Sequence, residues 1–178
     1  MFTLRRATLD DVPALLALID ASVRALSRGY YTERQVESAL RHVFGPDTRL
    51  IADGTYWVVA RDDGGDIVAA GGWSGRRTLY GGDQFKGAED PRLDPATEPA
   101  RIRAFFVHPD WARRGLARML YERCAEDARA AGFRAFELGA TLPGEPLYRA
   151  LGFTTIEPTE AMMPDGERLP LLRMGRPL

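Results

Sequence analysis

The sequence predicts an α/β chain, α+β in arrangement: a mixed, mostly antiparallel central sheet of about seven strands with helices on both faces. Three observations carry this. Thr55 to Arg61 and Asp66 to Ser74 are aromatic and β-branched runs flanking Asp62-Asp63-Gly64-Gly65, which reads as an antiparallel hairpin. Arg101 to His108, a helical stripe and Phe133 to Ala140 follow one another, which implies a parallel, right-handed crossover. Two capping signals, Thr8-Leu9-Asp10-Asp11 and Thr32-Glu33-Arg34-Gln35, each precede an apolar run of helical period.

The elements follow in order. Phe2 to Ala7 alternates apolar and polar residues and reads as an entry strand. Val12, Leu15, Leu16, Leu18 and Ile19 give one apolar face to a helix over residues 9–24. Gly29-Tyr30-Tyr31 breaks it. A second helix carries Val36, Ala39, Leu40, Val43 and Phe44 and ends at Gly45-Pro46. After the hairpin, residues 75–99 hold repeated Gly, Asp and Pro with little periodicity. A loop that long inside a compact chain is usually functional or mobile. Arg101 to His108 has apolar residues on both faces near its end, so it reads as a central strand stopped by Pro109. Leu116, Leu120, Cys124, Ala128 and Ala131 form one stripe of a helix over 115–131, which makes Cys124 a small core residue. A short helix at 145–151 ends at Gly152. Phe153 to Glu157 and Arg168 to Met174 are the last strands, joined through the turn at Pro164-Asp165-Gly166.

Composition narrows the function classes. The chain has 178 residues, which suits one domain over 1–178, and 45% hydrophobic content with a net charge of -1 excludes a disordered chain. The near-neutral balance argues against a nucleic-acid partner held by bulk charge. One cysteine leaves no internal disulfide, and no Cys/His cluster has metal spacing. No run of about 18 apolar residues suggests a membrane span, and Met1-Phe2-Thr3-Leu4-Arg5-Arg6 is not a signal peptide, so a cytoplasmic location is expected. Positive charge is nearly all arginine, with Lys86 the only lysine.

The chemistry-bearing stretch is Phe105-Phe106-Val107-His108-Pro109-Asp110-Trp111-Ala112-Arg113-Arg114-Gly115-Leu116-Ala117-Arg118. A buried strand enters a basic turn that opens a helix. The first N–H groups of a helix lack internal partners, and its dipole adds positive character there. Gly115 and Ala117 let a ligand approach the backbone, and Arg113, Arg114 and Arg118 add charge, as a pyrophosphate requires. Neither a Walker A loop nor a Gly-x-Gly-x-x-Gly turn is present.

One strand further on lies Leu147-Tyr148-Arg149-Ala150-Leu151-Gly152-Phe153. With both segments in view, the chain resembles the GNAT superfamily of acetyl-CoA-dependent N-acetyltransferases. That family holds the pyrophosphate of acetyl-CoA in a Gln/Arg-x-x-Gly-x-Gly/Ala turn, and a Tyr-x-x-x-Gly-Phe segment closes the domain. This chain offers Ala112-Arg113-Arg114-Gly115-Leu116-Ala117 and Tyr148 to Phe153, and departs from the pattern at Ala112.

The resemblance implies roles. Phe106 and Val107 match strand positions that pair with the pantetheine arm. Arg113, Arg114, Gly115, Leu116, Ala117 and Arg118 match the pyrophosphate turn. Thr141 stands where an Asn often contacts the arm, and Tyr148 matches the tyrosine beside the thioester sulfur. The implied reaction is direct acetyl transfer from acetyl-CoA, without a metal, to a primary amine of a small molecule or peptide. A backbone N–H near Val107 would face the oxyanion, and Tyr148 would protonate the thiolate. The base is open among Glu137, Glu98, Asp83, Asp94 and a water relay. His108 reads as a brace for its turn. An acceptor pocket is expected between residues 9–44 and the long loop, near Tyr30, Tyr31, Trp73, Tyr80 and Phe85, with Asp83, Glu89, Asp90 and Asp94 making it acidic. Two other classes stay open: a non-catalytic acyl-CoA sensor and an anion-binding interaction module. Homodimer formation through the C-terminal strands is also open.

Overall fold

The computed structural model describes all 178 residues. Seven strands form one sheet: β1 (Phe2–Arg6), β2 (Tyr56–Arg61), β3 (Ile67–Ser74), β4 (Ala100–Val107), β5 (Ala135–Thr141), β6 (Thr154–Met162) and β7 (Arg168–Pro177). Their order is β1-β2-β3-β4-β5-β7-β6. Every neighbouring pair is antiparallel except β4 and β5, the expected crossover. That parallel pairing is short. Ala100 faces Phe136 and Arg101 faces Glu137, and the strands then part.

A bulge accompanies the parting. The register of β4 against β3 slips by one residue opposite Gly71, and Ala104 takes a left-handed φ of 54°. Extra residues of this kind bend a strand and increase its twist. Gly71 is required there, because a Cβ would overlap the Phe105 ring.

Helices cover both faces, as predicted. Alternate residues of each strand point to opposite sides. Tyr56, Val58 and Ala70 pack with Leu15 and Leu18 of α1 (Val12–Leu26). Trp57, Val59 and Ala69 pack with Leu116, Leu120 and Cys124 of α4 (Leu116–Ala130). Burying one such leucine contributes about 1.5–3 kcal/mol. The same core takes in Leu151 and Phe153, which flank the end of α5 (Glu145–Ala150). Ala39 and Val43, on and just after α2 (Glu33–His42), meet Ala161, Leu169 and Leu171 of the last two strands. Cys124 is fully buried, as expected, and burial pushes its thiol well up from the ordinary range.

Some boundaries differ from expectation. The Thr8 signal opens a single turn at Leu9–Asp11 before α1, which then runs to Leu26 rather than residue 24. The Thr32 box forms as read, with Thr32 and Gln35 capping each other. The sequence reading missed α3 (Thr48–Asp53); Asp47 caps it by accepting from the Arg49 and Leu50 N–H groups. It also stopped the sixth strand at Glu157. β6 continues through Pro158, which an edge strand tolerates because its outer N–H side has no ladder partner.

Candidate active site

Where β4 and β5 part, a cleft of about 690 Å³ opens through the sheet. Its walls come from both faces: α1 supplies Val23 and Leu26, while the start of α4 and α5 supplies Leu116 and Tyr148. The volume lies in the range of about 300–1,000 Å³ usual for small-molecule sites. Phe106, Val107, Arg113, Gly115, Leu116, Ala117, Arg118, Thr141 and Tyr148 all line it. Arg114 does not. Its guanidinium lies over the Trp111 indole at 4.6 Å, a ring that Arg61 also approaches at 4.9 Å, and that cation–π contact holds it out of the cleft.

The basic turn is built from two left-handed residues. Arg113 has φ 64°, and Gly115, which caps α4, has φ 81°. Met119 N–H makes the first helical bond, to the Gly115 carbonyl at 3.0 Å. The N–H groups of Leu116, Ala117 and Arg118 are therefore without intrahelical partners. A Cβ on Gly115 would meet nothing within 4 Å, so the space over the turn is open. Free amides, a helix dipole, Arg113 and Arg118 converge there, a fit for a diphosphate. His108 braces the approach as expected, its Nδ1 accepting from Asp110 N–H at 3.2 Å.

The β4 edge is equally exposed. His108 N–H donates to the Val68 carbonyl at 2.8 Å, and Phe106 pairs with Ala70 two residues earlier. Ladder bonds alternate along an antiparallel strand, so Val107 directs its N–H the other way, toward the departing β5. An extended ligand arm can pair there as an added strand.

Tyr148 closes the far side. Its ring packs at 5.8 Å from Phe153 and 6.5 Å from Phe105. Burial pushes its phenol well above the usual range, so it stays protonated at neutral pH. Thr141 Oγ1 accepts from Gly144 N–H at 3.1 Å, which leaves the hydroxyl proton free to donate.

None of the four carboxylates considered as a base lines the cleft. Glu137 is held by Arg173 at 2.7 Å and Arg101 at 3.4 Å on the neighbouring strands. Glu98 and Asp94 close a turn, where Asp94 N–H donates to Glu98 at 2.8 Å. Asp83 accepts from Thr48 N–H at 3.1 Å and pairs with Lys86. The long loop does not present an acidic wall either. Asp90 is buried and accepts from Thr78 N–H at 2.8 Å.

These loop acids hold the loop in place. Asp47, with its side chain 1% exposed, pairs with Arg103 at 3.0 Å and with the buried Lys86. Arg103 also donates to the carbonyls of Thr78 and Gly81. Burial pulls the Arg103 pKa down, and Asp47 opposes that. The loop therefore presents Leu79, Tyr80 and Gly81 to the cleft. Of the aromatic residues expected near an acceptor, Tyr30 and Tyr80 line it, and Phe85 stacks on Tyr80 at 5.5 Å. Tyr31 is instead a tie: its hydroxyl donates to the Pro170 carbonyl and accepts from Leu142 N–H. Trp73 packs against Phe133 in the core on the α4 side.

The sequence reading missed Ser22, Val23, Leu26, Ser27 and Phe44 on the cleft wall. One signal existed. The apolar residues of α1 extend past the Leu15–Leu18–Ile19 core stripe, and Leu26 has no core role to fill.

The sequence model of the Acetyltransferase (GNAT) family matches residues 21–153. Among curated proteins no relative matches the chain. Solved structures resemble it along nearly its whole length. A GCN5-related N-acetyltransferase from Rhodopseudomonas palustris superposes with a TM-score of 0.72 at 20% identity, covering 99% of this chain and 95% of that one. The PaiA N-acetyltransferase from Thermoplasma acidophilum, in complex with coenzyme A, gives 0.68 at 11% identity over 100% and 99%. A GCN5-related N-acetyltransferase from Kribbella flavida gives 0.61 at 23% identity over 99% and 98%. At these identities the likeness shows the fold.

Proposed function

The chain belongs to the acetyltransferase (GNAT) family with acetyl-CoA as co-substrate, and from that premise we propose that residues 1–178 form one catalytic domain that acetylates a primary amine by direct transfer. The observation that carries this reading is the cleft itself: an unpaired strand edge at Val107 leads into the free amides at the start of α4, with Tyr148 opposite.

We assign the roles as follows. Leu116, Ala117 and Arg118 N–H groups, with the Arg113 and Arg118 guanidiniums, bind the diphosphate. Phe106 and Val107 pair with the pantetheine arm, and Thr141 donates to it. The Val107 N–H stabilises negative charge that develops on the acetyl oxygen as the amine nitrogen bonds to the acetyl carbon. Tyr148 donates its proton to the sulfur as the carbon–sulfur bond breaks. No carboxylate lines the cleft, so the ammonium proton leaves to water and the acceptor reacts as its free base; once the N–C bond forms the nitrogen sheds a second proton to water, and Tyr148 regains its proton from water. Holding both reactants in line supplies much of the remaining acceleration.

The test is amine-dependent release of coenzyme A thiol from acetyl-CoA, with the acetylated amine identified by mass. Both should appear together. Binding of acetyl-CoA without thiol release for any amine would leave a non-catalytic sensor as the better description.

A further inference from the structure

We infer that the acceptor is a small monoamine with an apolar body, aromatic or aliphatic, rather than a polyamine, an amino acid or a peptide. The inference rests on the acetyl-transfer reading and concerns the other substrate of that site.

The cofactor roles assigned above use the β4 edge, the α4 turn, Thr141 and Tyr148. What remains of the cleft is walled mainly by Val23, Leu26, Tyr30, Phe44, Leu79 and Phe106, with the neutral Ser22 and Ser27 as polar exceptions. Phe44 and Phe106 meet edge to face, their centroids 6.1 Å apart, and give this end a rigid aromatic floor. Leu26 and Tyr30 are 41% and 51% exposed, large apolar side chains left in solvent at the lip of a cleft. An apolar ligand body would cover them.

Charge narrows the class further. The only charged side chains lining the cleft are Arg103, Arg113 and Arg118, all cationic. A second ammonium on the acceptor would lose its water here and find no carboxylate, which is costly. A carboxylate on the acceptor would need a free cation at this end. Arg103 is the one nearest, and it is already held by Asp47 and by the Thr78 and Gly81 carbonyls. The single reacting ammonium is the one charge that can be accommodated, because apolar walls favour its loss of a proton before attack.

Matched pairs test this on the intact enzyme with acetyl-CoA: 2-phenylethylamine against L-phenylalanine, and hexylamine against 1,6-diaminohexane. A short peptide with a free apolar N-terminus is the fifth acceptor. In each pair the monoamine should show the higher kcat/KM, by at least about 100-fold, the scale at which an apolar pocket rejects even an added neutral hydroxyl. Leu26→Glu places a carboxylate on the acceptor wall at a partly exposed helix position. It should lower kcat/KM for 2-phenylethylamine, raise it for 1,6-diaminohexane, and leave the melting shift with acetyl-CoA in place. Equal or better turnover of the diamine, the amino acid or the peptide would overturn the inference. So would a wild-type protein that acetyl-CoA stabilises but that consumes neither monoamine. Absence of any stabilisation by acetyl-CoA would instead remove the acetyl-transfer reading on which the inference stands.

Discussion

Tyr148 meets the reaction as a neutral phenol. Its phenol is buried and its pKa is raised, so it remains protonated across any ordinary assay range. Tyr148→Phe should lower kcat by roughly 10²–10⁴-fold, the usual worth of a general acid, with little change in acetyl-CoA affinity. Steady-state kinetics beside a binding titration separates the two. The absence of a carboxylate from the cleft has its own signature. The log of kcat/KM should rise with unit slope up to the acceptor's own pKa, about 10 for an alkylamine, and show no lower break from an enzyme carboxylate. A break that moves with the enzyme variant and not with the amine would restore a protein base. Away from the site, Arg5 holds the Asp11 carboxyl down at about 2 through two hydrogen bonds. A depressed folded pKa stabilises at neutral pH, and that contribution fades as pH falls from the unfolded value of about 4 toward 2. Asp11→Asn should therefore flatten the acid limb of the melting curve.

Residue roles were unequally legible. Tyr148 was legible through the resemblance of its Tyr-x-x-x-Gly-Phe segment, and Gly115 because a left-handed cap at a strand-to-helix turn restricts the residue types that fit. Glu137 carried no such mark. Its partner Arg173 comes from a strand 36 residues later, so an acid that is neutralised in the fold looks free in the sequence. The loop acids misled for the same reason: Asp83 and Asp90 serve backbone N–H groups at Thr48 and Thr78.

At the scale of elements, the strand–helix–strand unit from β4 to β5 does the most for function. A fully paired parallel couple would leave no cleft. This pair shares only Ala100–Phe136 and Arg101–Glu137 before β4 bends away at its bulge. The crossover was readable from periodicity, but the divergence was not, because it depends on Phe105 overlying Gly71 across two strands. α3 was missed because six residues are too few to show a period; only its Asp47 cap and Gly54 stop marked it. That cap has a second task. Asp47 neutralises two buried cations, Lys86 and Arg103, and so fixes the loop at 75–99 against the sheet. Asp47→Asn leaves the buried Arg103 without its carboxylate and Lys86 with only the half-exposed Asp83, and should cost about 3–5 kcal/mol in chemical denaturation. Limited proteolysis should then cut within the loop first. A variant as stable as the parent would mean that the cluster does not hold the loop.

For the whole molecule, the architecture was legible at the level of element order and sheet type. Amphipathic periods and turn residues are local, and they fixed seven strands and four of the five helices in sequence. Where the walls of the cleft meet was not local. Residues 9–44 and the long loop were readable as the flanks of the acceptor pocket, but α1, the loop, β4 and α5 come together only through the sheet, so Val23, Leu26 and Phe44 were not readable as its wall. The arginine-rich composition likewise resolves only in three dimensions. Arg113 and Arg118 face the cleft, Arg114 is spent on Trp111, and the only lysine is buried in an ion pair.

The assignment of the α4 turn as the diphosphate site is most directly tested by thermal unfolding with acetyl-CoA, coenzyme A and ATP, on the parent chain and on Gly115→Glu. Ligand at about 100 times its dissociation constant adds roughly 2.7 kcal/mol, which raises the midpoint of a chain this size by about 5–11 °C. The parent should shift with acetyl-CoA and coenzyme A but not with ATP. Gly115→Glu, whose Cβ has open space but whose backbone at φ 81° is strained for any side chain, should melt lower yet stay folded, and its negative charge over the turn should abolish the shift. A parent that ignores both coenzymes at millimolar concentration, or a folded Gly115→Glu that shifts as the parent does, would contradict that assignment.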